Sequence, residues 1–352
     1  MARTSYAVPL AGLTTLRLGG PARRLVEVDT EADLVEVVSA ADAAGEPVLV
    51  LGDGSNVVVS DDGVDGTVVA VRTRGVHAEV DGCAGAWVTV AAGEPWDDLV
   101  ARAVAEEWSG IEALAGIPGR TGAAPIQNVG AYGQEVADTL ARVRVLDRVE
   151  RRVRMLPLAE CGFGYRWSRF KAEPGRFVVL EVALQLRPGS MSAPVRYAEL
   201  AARLGVGLGD RAPLGEVRDA VLALRRGKGM VLDPDDHDTW SAGSFFTNPV
   251  LDADAAAALP GDAPRFPVAD GRVKTSAAWL IDRAGRGRGY GLAGRPAAGV
   301  SDKHALALTN RGGASTADLL ALAADVRAEV ARRFGVVLEP EPVLVGCDLG
   351  PL

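Results

Sequence analysis

Lysine is almost missing from this 352-residue chain, which has only Lys171, Lys228, Lys274 and Lys303. Positive charge is carried by arginine throughout, so no arginine earns functional weight by its type alone. The net charge of −8 excludes broad nucleic-acid binding, which needs a basic field. An anionic ligand would have to be held by local arginines and backbone N–H groups. Cysteine is scarce and scattered, at Cys83, Cys161 and Cys347, with no C-x-x-C pair. That excludes a zinc ribbon and a disulfide framework, and it predicts reduced thiols in a cytosol. Histidine is limited to His77, His237 and His304. A Ser-His-Asp hydrolase has its residue types, but the G-x-S-x-G elbow is missing. No apolar run approaches the ~20 residues of a membrane span. The opening MARTSYAVPL lacks the apolar core of a signal peptide. The expectation is a soluble, cytoplasmic monomer with no nucleic-acid or membrane partner. No metal site is expected either. Asp233-Pro-Asp-Asp-His-Asp238 is charged, but its spacing matches no calcium loop.

What is present reads as an ordered protein of two or three domains, 48% hydrophobic and 24% charged. Short apolar runs predict strands at Val48–Leu51, Val57–Val59, Thr67–Val71, Ala86–Ala91, Arg142–Leu146 and Val178–Leu186. Helical spacing covers Glu31–Ala44 and Pro95–Trp108, the latter with Leu99, Val100, Val104 and Trp108 on one face. Further helices are predicted over Leu214–Arg226 and Lys274–Ala284. Ser315-Thr-Ala-Asp318 is a capping box opening a last long helix, with strands at Val336–Leu338 and Val343–Gly346 beyond it. The strand ending at Leu51 runs into Gly52-Asp-Gly-Ser-Asn56. A dinucleotide fingerprint would need glycine where Val57 stands, which disfavours a Rossmann fold. A glycine turn with unpaired N–H groups can still cradle a pyrophosphate.

The most informative stretch is residues 110–135, GIEALAGIPGRTGAAPIQNVGAYGQE. Six glycines permit close approach and left-handed backbone, two prolines stiffen the bends, and Gln127, Asn128 and Tyr132 offer polar and stacking groups. This is a surface suited to a large, flat, polar ligand. Three other segments carry chemistry. Arg166 sits among aromatics and glycines in Cys161–Lys171, where a guanidinium could hold a carboxylate bidentately. Ser244 follows a glycine and precedes two phenylalanines. Glu339 and Glu341 lie in a proline-stiffened strand, where alternation puts both on one side.

In this order, these segments resemble the UDP-N-acetylenolpyruvoylglucosamine reductase family, flavoenzymes of peptidoglycan precursor synthesis. Thr14-Thr-Leu-Arg-Leu-Gly-Gly-Pro-Ala22 resembles the opening motif. Leu51–Asn56 and Gly116–Gly133 resemble the two flavin loops. Tyr165–Ser168, Ala242–Pro249 and Leu338–Glu341 resemble the catalytic segments. The resemblance implies an α+β fold, with an FAD-binding module of the PCMH/vanillyl-alcohol-oxidase type in two α+β subdomains (1–72 and 73–212). A C-terminal α+β substrate-binding domain (213–342) follows, with residues 343–352 returning to the first subdomain. It implies noncovalent FAD, with NADPH as co-substrate. The flavin contacts carried over are Gly52, Gly54, Ser55 and Asn56 in the first loop. In the second they are Ile117, Pro118, Gly119, Gly122, Ala123, Gln127, Asn128, Gly130, Ala131 and Tyr132. The implied reaction reduces an enolpyruvyl UDP-sugar to UDP-N-acetylmuramate. Hydride goes to C3, Ser244 supplies a proton to C2, and Arg166 and Glu341 stabilise the developing charge. Tyr197, Arg225, Lys228 and Asn248 are the implied substrate contacts, Tyr197 matching the longer family type whose extra loop closes over substrate. Two rival readings are another FAD-dependent oxidase or dehydrogenase of this fold and a nonenzymatic UDP-sugar binder. Many such oxidases tether flavin through His or Cys, and residues 110–135 contain neither. The chain departs from the family pattern at Thr14, where asparagine is usual, and at Gly287-Arg-Gly289.

Overall fold

The computed structural model describes residues 2–82, 85–268, 270–292 and 295–352; Cys83 lies outside them. The chain divides into two compact units. The first comprises residues 1–8, 22–53 and 65–231, and the second 9–21, 54–64 and 232–352. The second unit therefore takes two early excursions of the chain before its main body begins.

In the first unit, one sheet orders the strands Arg3–Pro9, Pro21–Val28, Val64–Val71 and Val48–Leu51. The last two run parallel. The helix Glu31–Ala43 supplies Leu34, Val38 and Ala41 to the core. Thr30 caps it, accepting from Asp33 N, which satisfies an orphan donor of the first turn. A larger antiparallel sheet is built on the twelve-residue strand Phe177–Pro188, flanked by Leu140–Asp147 and Gly85–Ala91. Its centre is β-branched and leucine-rich, as a strand packed on both faces should be. Val88, Val90, Val143, Val145, Val182 and Leu184 are all fully buried.

In the second unit, the helix Thr316–Phe334 buries Leu319, Leu322, Ala323, Val326 and Val330. Its predicted capping box is present: Ser315 Oγ accepts from Asp318 N, and Asp318 Oδ2 accepts from Ser315 N. The strand Val343–Val345 pairs in parallel with Val57–Val59. Gly287, in the departing segment, stands where a Cβ would come within 2.0 Å of Asp282 Oδ1. Beside it Arg286 Nε and Tyr290 OH both donate to Asp325 Oδ2, each at 2.7 Å. The hydroxyl of Thr14 turns into its own loop, donating to Leu18 O at 2.8 Å.

Three boundaries differ from the sequence reading. The helix predicted over Pro95–Trp108 ends at Ala105. Glu107 takes a left-handed φ of 56°, and Trp108–Ser109 becomes a strand pairing with Pro188 and Arg187. The helix predicted from Lys274 starts at Ala277, because Ser276 caps it and Lys274 is committed to a short ladder with Val250 and Phe266. Residues 336–338 form no strand. The pairing falls further on, where Thr247 N donates to Glu339 O and Glu341 N to Phe245 O.

The strand end at Asp147 carries a buried charge. Its carboxylate accepts from Arg176 at 2.9 and 3.2 Å, from Arg154 at 3.3 Å, and from the amides of Val149 and Glu150. The Arg176 hydrogen bond leads in holding its pKa down, from 3.8 to about 2. A depressed carboxylate stabilises the fold above its unfolded pKa and ceases to as pH falls through the folded value. Asp147→Asn should therefore lower the urea midpoint at pH 7 and flatten the loss of stability between pH 3.8 and about 2. An unchanged acid limb would mean that other carboxylates govern it.

Candidate active site

In the first unit the two glycine loops are fastened together. Arg120 Nε donates to Asp53 Oδ1 at 2.6 Å and its Nη1 to Gly93 O at 2.9 Å. Arg72 Nη1 donates to Gly52 O at 2.9 Å. Gly122 lies so close to Ala92 that a Cβ would approach its methyl to 2.5 Å, and its amide donates to Ala92 O. The second loop is thereby locked onto the sheet. The amides of Ile117 and Gly119 donate to no acceptor among the described residues. Those unclaimed donors fit an anionic or carbonyl-rich group such as a dinucleotide.

Farther along the same stretch, Gly130–Ala131 pairs with Gln134–Glu135 in a tight hairpin, with Tyr132 at φ 49°. Asn128, also left-handed, spends its side chain internally. Its Nδ2 donates to Glu135 Oε2 and to Gly164 O, and its Oδ1 accepts from Ala137 N. Arg166 takes a φ of 52° and donates from Nη2 to Gly130 O at 2.8 Å. The Tyr132 ring meets Tyr197 edge-on at 5.4 Å between centroids, and Lys228 Nζ stands 5.6 Å from its centroid. Burial raises the Tyr132 pKa. Burial, the largest single influence, opposes the charge of Lys228, but the 2.5 Å hydrogen bond to Glu199 and the nearby Tyr132, Glu199 and Tyr197 together outweigh it and raise its pKa. Arg225 donates from Nη2 to Met230 O. Its solvent-sealed Nε meets no acceptor among the described residues, and burial lowers its pKa to about 10. A partly buried cation whose Nε is shut off from solvent and unused fits an anionic ligand.

In the second unit, Ser244 is positioned by backbone on both sides. Gly243 N donates to Ser241 Oγ at 3.2 Å, Thr15 Oγ1 to Ser241 O at 2.7 Å, and Phe245 N to Leu306 O at 2.7 Å. Phe245 and Phe246 are each 1% exposed. Glu341 N donates to Phe245 O at 2.8 Å, which places its residue one step from Ser244 on a shared ladder. Asn56 Nδ2 donates to Glu341 O at 3.4 Å, and Val343 N to Asn56 O. Glu341 is half-buried whereas Glu339 is exposed. Asn248 Oδ1 accepts from Ala277 N at 2.9 Å, which fixes the orientation of its amide. Gly54 needs its glycine: φ is +58°, and a Cβ would come within 2.3 Å of Leu13 O.

The structure thus groups Arg166, Tyr132, Tyr197, Arg225 and Lys228 in one unit, and Ser244, Glu341, Asn56 and Asn248 in the other. Sequence reasoning missed Arg120. It lies inside the glycine stretch, and only the general excess of arginine hid it.

Residues 22–155 match the FAD binding domain family, and residues 233–345 match the C-terminal domain of UDP-N-acetylenolpyruvoylglucosamine reductase. The chain is 58% identical over 342 residues to the UDP-N-acetylenolpyruvoylglucosamine reductase of Cutibacterium acnes, covering 97% of this chain and 90% of that one. It is 55% identical to the Thermobifida fusca enzyme of the same name, covering 98% and 99%. A solved structure of UDP-N-acetylenolpyruvylglucosamine reductase from Thermus caldophilus aligns with a TM-score of 0.64 at 28% identity, covering 98% and 99%.

Removing the tie between the glycine loops should loosen the flavin. Arg120→Ala is expected to raise the FAD dissociation constant about tenfold or more, the scale of a lost charge-assisted hydrogen bond. Flavin fluorescence on dilution would measure it, and an unchanged constant would mean that the loops hold their shape without Arg120.

Proposed function

Since this chain belongs to the UDP-N-acetylenolpyruvoylglucosamine reductase family, and so carries out the FAD-dependent reduction of the enolpyruvyl UDP-sugar in peptidoglycan synthesis, we propose that Arg166, Glu341 and Ser244 perform that chemistry. FAD, which the loops Gly52–Asn56 and Ile117–Tyr132 would hold, would supply the hydride chemistry between NADPH and C3 of the enol ether. The protein's task is to make a poor acceptor receptive. A free carboxylate conjugated to the alkene resists hydride, so the negative charge that develops on it must be stabilised. Arg166 offers a fixed guanidinium, oriented by its bond to Gly130 O. Glu341 contributes if it shares a proton with the substrate carboxylate, since two bare carboxylates repel. Ser244 delivers the proton to C2.

The observation that most supports this reading is the ladder that sets Glu341 directly against Phe245, the residue after Ser244. It ties the proposed acid and the proposed charge stabiliser to one rigid backbone. Tyr197, Lys228 and Arg225 are proposed to receive the diphosphate, with Asn248 as a further donor. Asn128 serves the flavin loop by shaping its backbone, because its own amide is committed. The flavin module is taken as residues 1–72 and 73–212, and the substrate domain as 213–342. Residues 343–352 are proposed to return to the first subdomain through Val57–Val59, with which Val343–Val345 pairs in parallel, although both strands lie in the second compact unit. A cytoplasmic monomer remains the proposed state. No helix among the described residues is long and apolar enough to cross a membrane.

Anaerobic NADPH should bleach the flavin absorbance of the holoenzyme, and the enolpyruvyl UDP-sugar should restore it. Ser244→Ala should bleach normally but recover slower by about 10²–10⁴-fold, the usual worth of general acid catalysis. Equal slowing of both phases would remove Ser244 from the role of proton donor.

Tyr197→Phe should raise KM for the UDP-sugar while leaving the rate of bleaching by NADPH nearly unchanged. A KM like that of the parent enzyme would contradict a substrate contact through the hydroxyl.

A further inference from the structure

Glu112 is a fully buried carboxylate that the proposed chemistry does not use. Burying an ionised carboxylate is costly unless donors surround it, and three do. Gly110 N donates to its Oε2 at 2.6 Å. Gln134 Nε2 at 2.9 Å and Ala193 N at 2.7 Å donate to its Oε1. Gln134 is itself fixed, because its Oε1 accepts from Ala113 N at 2.8 Å. The three donors come from separate stretches: the start of the glycine-rich segment, the return arm of the Tyr132 hairpin, and the root of the segment bearing Tyr197.

That root is held firmly. Ser192 N donates to Ala212 O, and Val195 N to Asp210 O. Tyr197 follows two residues later and meets the Tyr132 ring. One side of Glu112 therefore grips the base of the Tyr132 hairpin, and the same oxygen grips the base of the Tyr197 segment. We propose that Glu112 is a positioning residue that registers Tyr197 against Tyr132 and so sets the affinity for the UDP-sugar. This rests on the reading of Tyr197 as a substrate contact.

The test is a double-mutant cycle on the FAD-loaded enzyme, following KM for the enolpyruvyl UDP-sugar and its dissociation constant by calorimetry, with the rate of bleaching by NADPH as a control. Glu112→Gln retains an acceptor for Gln134 and Ala193 but faces the Gly110 amide with an NH₂ group. It should raise KM and the dissociation constant about tenfold, the scale of a lost hydrogen bond to a charged group, with little change in bleaching. In a Tyr197→Phe background the same change should have almost no effect, because coupled residues are not additive. An equal effect in both backgrounds, or none in either, overturns the inference while leaving the Tyr197 assignment standing. If Tyr197→Phe alone leaves substrate affinity unchanged, the Tyr197 assignment fails and the coupling fails with it. Should Glu112→Gln not fold, Gln134→Met, which keeps the volume but removes both the donor to Glu112 and the acceptor for Ala113 N, carries the same cycle with the same expected outcomes.

Discussion

In the first unit, the backbone that carries Tyr132 and Arg166 depends on the side chain of Asn128. It is 1% exposed and adopts φ 48°, a conformation that costs a non-glycine residue roughly 1 kcal/mol or more. Three hydrogen bonds offset that cost. The amide nitrogen serves Glu135 and Gly164 O, and the amide oxygen serves Ala137 N. Only an amide can donate twice and accept once with this geometry. Aspartate would lose both donated bonds and set a second carboxylate beside Glu135. The Tyr132 hairpin and the turn entering Arg166 both hang from this group, and Tyr132 and Arg166 are themselves left-handed. Strain of this kind persists only where the surroundings over-determine it, and it gathers at functional sites.

The cations near Tyr132 are held in different electrostatic states. Lys228 is partly exposed and answered by Glu199 at 2.5 Å, so it can exchange one anion for another. Arg225 is also partly buried, with its Nε shut off from solvent, and burial brings its pKa down to about 10. At about 10 the guanidinium keeps its charge at neutral pH, and its planar fork can hold an oxyanion bidentately, which a point charge cannot.

Much of the fold was legible because the signals were local. Capping at Ser315, the apolar face of Leu214–Gly227 and the runs at Val48–Leu51 and Phe177–Pro188 need only neighbouring residues to be read. The misplaced boundaries arose where a longer-range partner won. Trp108 left its helix to pair with Pro188, and Lys274 joined Val250 and Phe266. The candidate site was legible chiefly through resemblance, since its motifs name residues without saying what each one touches. Asn128, Glu112 and Arg120 act through partners as far as 36, 81 and 67 positions away, and no periodicity records such pairings. Arg120 was doubly hidden, because arginine is the chain's default cation.

The setting of Ser244 suits a weak acid to the proton delivery proposed for it. Its backbone is fixed on both sides, by Gly243 and Ser241 before it and by the buried Phe245 after it. Yet its hydroxyl has no partner among the described residues. A serine already bonded within the protein would have to break that bond before serving a substrate. A serine on a loose loop would spend binding energy on being ordered. A rigid backbone with an uncommitted hydroxyl avoids both costs, and preorganisation of this sort is how a site gains rate from a group of unfavourable pKa. The proton delivery proposed for Ser244 thus rests on the neighbours that hold its backbone still, above all the ladder from Phe245 to Glu341.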